Sequence, residues 1–182
     1  MNKILTKNLS KQNILIDNHG RTINYLRLSV TDRCNYRCTY CMPEKMKFLP
    51  KKDLLTFEEM DHLCSLFISR GIKNIRLSGG EPLVRKGIFK FISNLSRYIS
   101  NGDIDEITLT TNGSQLKSFS DDLFQSGVRR INVSLDSLSE EKFNQITRRD
   151  DLNNVIDGLE AAKKAGLKIK INTVVIKNKN LD

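Results

Sequence analysis

The stretch YLRLSVTDRCNYRCTYCMP, Tyr25–Pro43, carries two structural messages in succession. Its first part alternates with period two. Leu26, Leu28 and Val30 share one side and Arg27 and Ser29 the other, as in a strand with one apolar face. Its second part spaces three cysteines as Cys-x3-Cys-x2-Cys (Cys34, Cys38 and Cys41) at the head of a segment, Thr31–Lys52, that has no regular periodicity. A loop of that length leaving a strand inside a compact domain is usually functional.

Outward from this stretch the same alternation recurs. Strand-like runs follow at Ile72–Ser78, Glu106–Thr111, Arg130–Leu135 and Lys168–Val175. Helical patterns separate them. One opens on a Thr56-x-x-Glu59 capping box and stops at Gly71; another carries Ile88, Phe89, Ile92, Leu95 and Ile99 and ends at Gly102. Ser120 is expected to cap a short third helix ending at Gly127. A short helix near Ser139–Ile146 and a longer one from about Asp151 to Gly166 complete the set. Strand–helix–strand repetition implies parallel strands, hence an α/β fold. No low-complexity linker divides it, so residues 1–182 read as one domain, with Ile14–Ile23 as a hairpin laid against its start.

Parity adds a further constraint. Ile75 and Leu77, Ile107 and Leu109, Ile131 and Val133, Ile169 and Ile171 all alternate with polar residues. Parallel strands buried on both faces read instead as continuous apolar runs. A partial TIM-like (β/α) barrel reconciles the two, with helices covering the apolar face and the polar face lining a ligand cavity. Arg27, Arg76 and Lys170 then point toward an anion, in keeping with a formal charge of +9. The cations are scattered rather than gathered into a basic arm, which argues against nucleic acid as a partner. No apolar stretch is long enough for a membrane span, and the first residues, MNKILTKNLSKQN, lack a signal core. A cytoplasmic location is the expectation.

Thiols stay reduced in the cytoplasm, so three cysteines within eight residues read as cofactor ligands rather than disulfides. Cys64, in an apolar helical pattern, reads as core. Structural zinc wants four ligands, and neither His19 nor His62 has ligand spacing to the cysteines. A ferredoxin needs a fourth cysteine near by. Three thiolates on a four-iron cluster leave one iron open for chemistry.

With Tyr40 before the last cysteine, the motif resembles the signature of the radical S-adenosylmethionine (SAM) superfamily. Tyr25–Pro43, IRLSGGEPL (Ile75–Leu83), LTTNG (Leu109–Gly113) and RRINVSLD (Arg129–Asp136) together resemble the GTP 3′,8-cyclase family of molybdenum cofactor biosynthesis, over nearly all the chain from about Asp17. The resemblance implies a [4Fe–4S] cluster on Cys34, Cys38 and Cys41, with residues 34–41 as its loop. It implies SAM contacts at Tyr40, Gly80 and Ser134, and GTP contacts at Arg27, Arg76, Thr110 and Lys170. It further implies that one electron from an external donor of the flavodoxin or ferredoxin type cleaves SAM, that the 5′-deoxyadenosyl radical takes hydrogen from C3′ of GTP, and that C3′ closes on C8. No acid–base triad is implied, and a homodimer is allowed. The family's second cluster is bound by three later cysteines that do not occur in this chain. The expectation is therefore a fragment, truncated after the fifth strand, whose edge is poorly covered. Another radical SAM enzyme, or a non-catalytic metal-binding module, remains the rival reading.

Overall fold

The structure, a computed structural model, describes residues 14–181; the N-terminal residues 1–13, read above for a signal core, and Asp182 lie outside the described residues. Five strands, β1 (Tyr25–Ser29), β2 (Asn74–Ser78), β3 (Glu106–Thr111), β4 (Arg130–Ser134) and β5 (Lys168–Asn172), form one sheet in sequence order. Every neighbouring pair is parallel. Helices α1 (Phe57–Ser69), α2 (Ile88–Ser100), α3 (Leu116–Gln125), α4 (Glu140–Thr147) and α5 (Leu152–Lys164) fill the connections. The sheet is open, with β1 and β5 as its edges. No helix among the described residues is long and apolar enough to cross a membrane.

Register turns the parity of single strands into rows across the sheet. Leu28, Leu77, Leu109, Ile131 and Ile169 are successive partners and form the central apolar row. Leu77, Leu109 and Ile131 are fully buried in one core with Phe91, Leu95 and Leu123 from the covering helices. On the opposite face Arg27, Arg76, Thr108, Arg130 and Lys168 form one row, and Thr110, Asn132 and Lys170 the next. Helices cover one side of the sheet, and a polar surface lines the other.

Local signals explain most element ends. Thr56 Oγ1 accepts from Glu59 N at 3.1 Å and Glu59 Oε2 accepts from Thr56 N at 2.7 Å, closing the expected capping box on α1. The third helix departs from expectation. Ser120 lies inside α3, where its hydroxyl donates to the Leu116 carbonyl at 2.6 Å. A serine can back-bond within a helix as readily as it caps one, and sequence does not distinguish the two. The N-terminal hairpin is present as an Ile16–Thr22 bridge, and Leu15 N–H ties it to the Arg70 carbonyl at the end of α1. As expected, β5 is an edge, and Ile171, Val174 and Val175 are exposed along and beyond it.

Leu109 sits at the crossing of the apolar row and the helical layer. Leu109→Ala is expected to destabilise the chain by about 2–5 kcal/mol, read as a lower urea midpoint with an unchanged slope.

Candidate metal centre and cofactor site

The cysteine loop is fixed at its root by an extension of strand pairing. Val30 N–H donates to Ser78 O at 2.8 Å, Gly80 N–H to Thr31 O at 2.7 Å and Glu81 N–H to Arg33 O at 2.8 Å. The chain leaving β1 is thus zipped to the chain leaving β2 up to the residue before Cys34. A Cβ on Gly80 would stand 2.2 Å from Arg33 O, and one on Gly79 would stand 2.4 Å from Thr31 O. The glycines, read from sequence as room for a ligand, are first of all room for this loop.

Farther out, the loop rests on α4 and the start of α5. Arg37 and Thr39 N–H groups donate to the carbonyls of Thr147 (3.0 Å) and Ile146 (2.8 Å). Arg149 Nε donates to Asn35 O at 2.9 Å, and the hydroxyl of buried Tyr36 donates to Asp151 at 2.6 Å. Tyr40, nearly half exposed, donates to Asp136 Oδ2 at 2.8 Å, which fixes the aromatic residue between two cysteines to the end of β4. Ser134 is two residues upstream at the same edge.

Cys34, Cys38, Cys41, Gly79, Gly80 and Met42 line one cavity of about 270 Å³. All three cysteines are free thiols. Among the described residues, no three His, Cys, Asp or Glu groups converge to hold a single metal ion. The three free thiols at this cavity suit a four-iron cluster, because each thiolate can take a different iron and one iron is left open. Burial pushes the Cys34 thiol up, and the Cys38 thiol up to about 11, so ligation must displace their protons. Cys64 is wholly buried in the core, as its pattern implied.

Glu81, which sequence reading left without a role of its own, is the hub between β2 and β3. It is fully buried. Its Oε1 accepts from Thr111 Oγ1 (2.8 Å) and Leu83 N (3.1 Å), and its Oε2 accepts from Asn112 N (2.7 Å). Desolvation outweighs these three bonds and pushes the carboxyl up to about 7. Asn112 continues the network toward Asn35, Ser114 and Cys34.

The residues expected to meet GTP all lie on the polar face. Arg27 and Arg76 are direct partners across β1 and β2; Thr110 and Lys170 flank Asn132. Arg27 Nε donates to Ser78 Oγ at 3.1 Å, and the Arg76 guanidinium lies over Tyr25, 5.2 Å from the ring centroid. Lys170, on the edge strand, is exposed. Between them are residues to which sequence reading gave no role. Asn132 and Thr108 are each 1% exposed, yet both amide atoms of Asn132 and Thr108 Oγ1 have no partner, and Arg76 Nε is likewise buried without one. Parity had put both residues on this face, but only the structure gives their burial.

An open parallel α/β sheet with a three-thiol loop at the C-terminal edge of its strands defines the class: a half-barrel built to carry a metal cluster. Comparison with known proteins makes this specific. The chain belongs to the radical SAM superfamily, which matches residues 28–182. It is 61% identical over 166 residues to the GTP 3′,8-cyclase of Brucella ovis, covering 91% of this chain and 48% of that one. Against the GTP 3′,8-cyclase of Agrobacterium fabrum it is 58% identical over 178 residues, covering 98% and 50%. The chain therefore spans about half the length of these curated relatives. Among solved structures, Streptococcus suis SuiB bound to precursor peptide SuiA superposes with a TM-score of 0.69 at 18% identity, over 85% of this chain and 34% of that one. Native anSMEcpe with bound AdoMet gives a TM-score of 0.67 at 22% identity, over 83% and 43%. These two structures share the fold.

The position of Glu81 yields a pH dependence. Unfolded, its carboxyl titrates near 4.5; folded, near 7. Between those values the folded chain holds the extra proton, so this group's contribution to stability falls as pH rises. Glu81→Gln cannot titrate and sets an amide donor against N–H and O–H donors. The variant is expected to be less stable than wild type by about 1–3 kcal/mol. Urea unfolding of the metal-free chain should show that gap narrowing from about pH 5 to about pH 8; a constant gap would mean that Glu81 does not titrate in this window.

Proposed function

We propose that this chain forms the cluster- and SAM-binding half of a GTP 3′,8-cyclase, the enzyme that converts GTP to 3′,8-cyclo-7,8-dihydro-GTP in molybdenum cofactor biosynthesis. Residues 1–182 are then a radical SAM core. Cys34, Cys38 and Cys41, on the loop 34–41, hold a [4Fe–4S] cluster. Gly80, Tyr40 and Ser134 receive SAM, and Arg27, Arg76, Thr110 and Lys170 receive the nucleotide. The family's second cluster would be supplied by sequence beyond this chain. The reduced cytoplasm suits such a centre, and the electron comes from an external carrier.

The observation that carries the reading is a single sheet that bears both a three-thiol loop and a polar face. A loop of three thiols leaves the end of β1 over Gly79 and Gly80, and the face of the same sheet away from the helices carries Arg76, Thr108 and Asn132 with buried, unpartnered atoms. The names of the relatives at about 60% identity supply the substrate for that face.

Held by Cys34, Cys38 and Cys41, the cluster would supply the electron for reductive cleavage of SAM, the source of the radical chemistry proposed at C3′ of GTP. The residues do the rest by position. Arg27 and Arg76 neutralise phosphate; a guanidinium can donate two parallel bonds to its oxygens. Lys170 adds a mobile charge from the edge strand. Tyr40, held by Asp136, keeps a flat ring beside the thiols for the adenosine. Holding the ribose within reach of the radical converts an encounter into an intramolecular step.

The test is anaerobic and uses protein of the relatives' full length. With reductant, SAM and GTP deuterated at C3′, the expected product is 5′-deoxyadenosine carrying deuterium. Deoxyadenosine formed without the label would reject GTP as the substrate and favour another radical SAM reaction. Cys38→Ala is expected to abolish the visible absorbance of the reconstituted cluster; retained absorbance removes Cys38 from the ligand set.

A further inference from the structure

We infer that Asn112, at the end of β3, is a positioning residue that raises the reduction potential of the cluster through a hydrogen bond to Cys34; this rests on Cys34 being a cluster ligand. Asn112 Nδ2 is 3.8 Å from Cys34 Sγ and 2.9 Å from Asn35 Oδ1. Its Oδ1 accepts from Ser114 N at 3.0 Å and Ser114 Oγ at 2.7 Å. Asn35 Nδ2 closes the ring by donating to Ser114 Oγ at 2.8 Å.

The ring fixes which way the amide points. Turned over, the Asn112 NH₂ would face the Ser114 N–H donor, and its oxygen would face Asn35 Oδ1 and the sulfur. Both contacts would then be repulsive. The backbone is equally constrained, because Asn112 N–H donates to Glu81 Oε2 at 2.7 Å and Thr111 Oγ1 donates to Glu81 Oε1 at 2.8 Å. A buried carboxyl group therefore holds the turn that aims the amide at the sulfur.

Cys34 receives two donors of different origin. Tyr36 N–H, at 3.4 Å, comes from the cysteine loop and moves with it. Asn112 comes from the sheet. A donor on a ligating sulfur draws electron density from the iron and favours the reduced, more negative cluster, so it shifts the potential upward. This matters in a site that must accept an electron before it can pass one to the sulfonium.

Two variants separate tuning from scaffolding. Asn112→Asp is nearly isosteric and still accepts from Ser114, but it loses the Nδ2 donor and adds negative charge. Asn112→Leu removes the amide without adding charge. In the reconstituted chain, the potential is read by redox titration followed by electron paramagnetic resonance, with iron and sulfide content and circular dichroism as controls. Both variants should keep the cluster and titrate at a more negative potential than wild type, with Asp displaced further than Leu. At the wild-type midpoint the reduced-to-oxidised ratio of Asn112→Leu should fall about two- to tenfold, the span of one hydrogen bond. A tenfold fall is about 59 mV for a one-electron couple. If Leu does not fold, the Asp variant carries the test. Variants that keep the cluster and titrate with wild type overturn the inference alone. So do variants that stay folded but cannot hold a cluster, because Asn112 is then a scaffold. A wild-type chain that takes up no iron overturns the ligand assignment beneath it.

Discussion

Two backbone hydrogen bonds past the ends of β1 and β2 govern the site: Gly80 N–H to Thr31 O and Glu81 N–H to Arg33 O. They continue the parallel ladder by a few residues where both chains have left the regular sheet. The cysteine loop therefore begins on a rigid edge, and Cys34 emerges from the last fastened residue. This zipper tolerates no side chain, because a Cβ at either glycine would overlap a carbonyl of the opposite chain. A cluster needs ligands held in fixed relation, and a loop that runs from Thr31 to Lys52 would not provide this unaided. Its root, the α4 carbonyls and the Tyr36–Asp151 bond share that task.

Glu81 extends the same logic to β3. A carboxyl without solvent contact is a costly way to join two strands, and its raised pKa measures that cost. An amide has one acceptor oxygen; the Glu81 carboxyl has two, which together accept from three donors, two of them backbone N–H groups that would otherwise be orphaned at the ends of their elements. The bonds from Glu81 fix Thr111 and Asn112, and Asn112 in turn touches the cysteine loop. The loop is thus gripped from β2, β3 and α4–α5. Its geometry depends on the sheet as a whole, because an irregular chain of this length has too much conformational freedom to hold three sulfurs in place by itself.

Much of this was legible in sequence because it is written in short-range patterns. Period-two alternation located every strand, and the Thr56–Glu59 box located a helix start to the residue. The Cys-x3-Cys-x2-Cys spacing located the loop, and parity put Arg27, Arg76, Thr110 and Lys170 on one face before any register was known. What escaped was pairing at a distance. Tyr36 and Asp151 are 115 residues apart, and Glu81 and Thr111 are 30 apart, so nothing in either neighbourhood names the partner. The glycines of Gly79–Gly80 were legible as a close approach, but not which chain approaches. Ser120 misled because a helix-capping serine and a back-bonding one share the same local sequence.

Under the proposed function, the polar face ties stability to binding. On its apolar side the sheet follows ordinary packing, with Leu77, Leu109 and Ile131 sealed under helices. On the other side Asn132 and Thr108 are just as inaccessible, yet their polar atoms and Arg76 Nε lack partners. Each such group costs about 1–3 kcal/mol relative to a satisfied one, against a total stability of roughly 5–15 kcal/mol for a domain. A sequence selected for stability alone would put Val or Ile at those positions, as ordinary barrels do. Keeping an amide and a hydroxyl there, between Arg76 and Lys170, costs the sheet stability; under the proposed function, the nucleotide-receiving role of this face is the reason for it. A ligand that bound the folded chain alone would offset that cost by mass action. The polar residues that weaken the sheet would then be the ones that select the ligand, since a ligand lacking matching donors and acceptors would leave them unpaired.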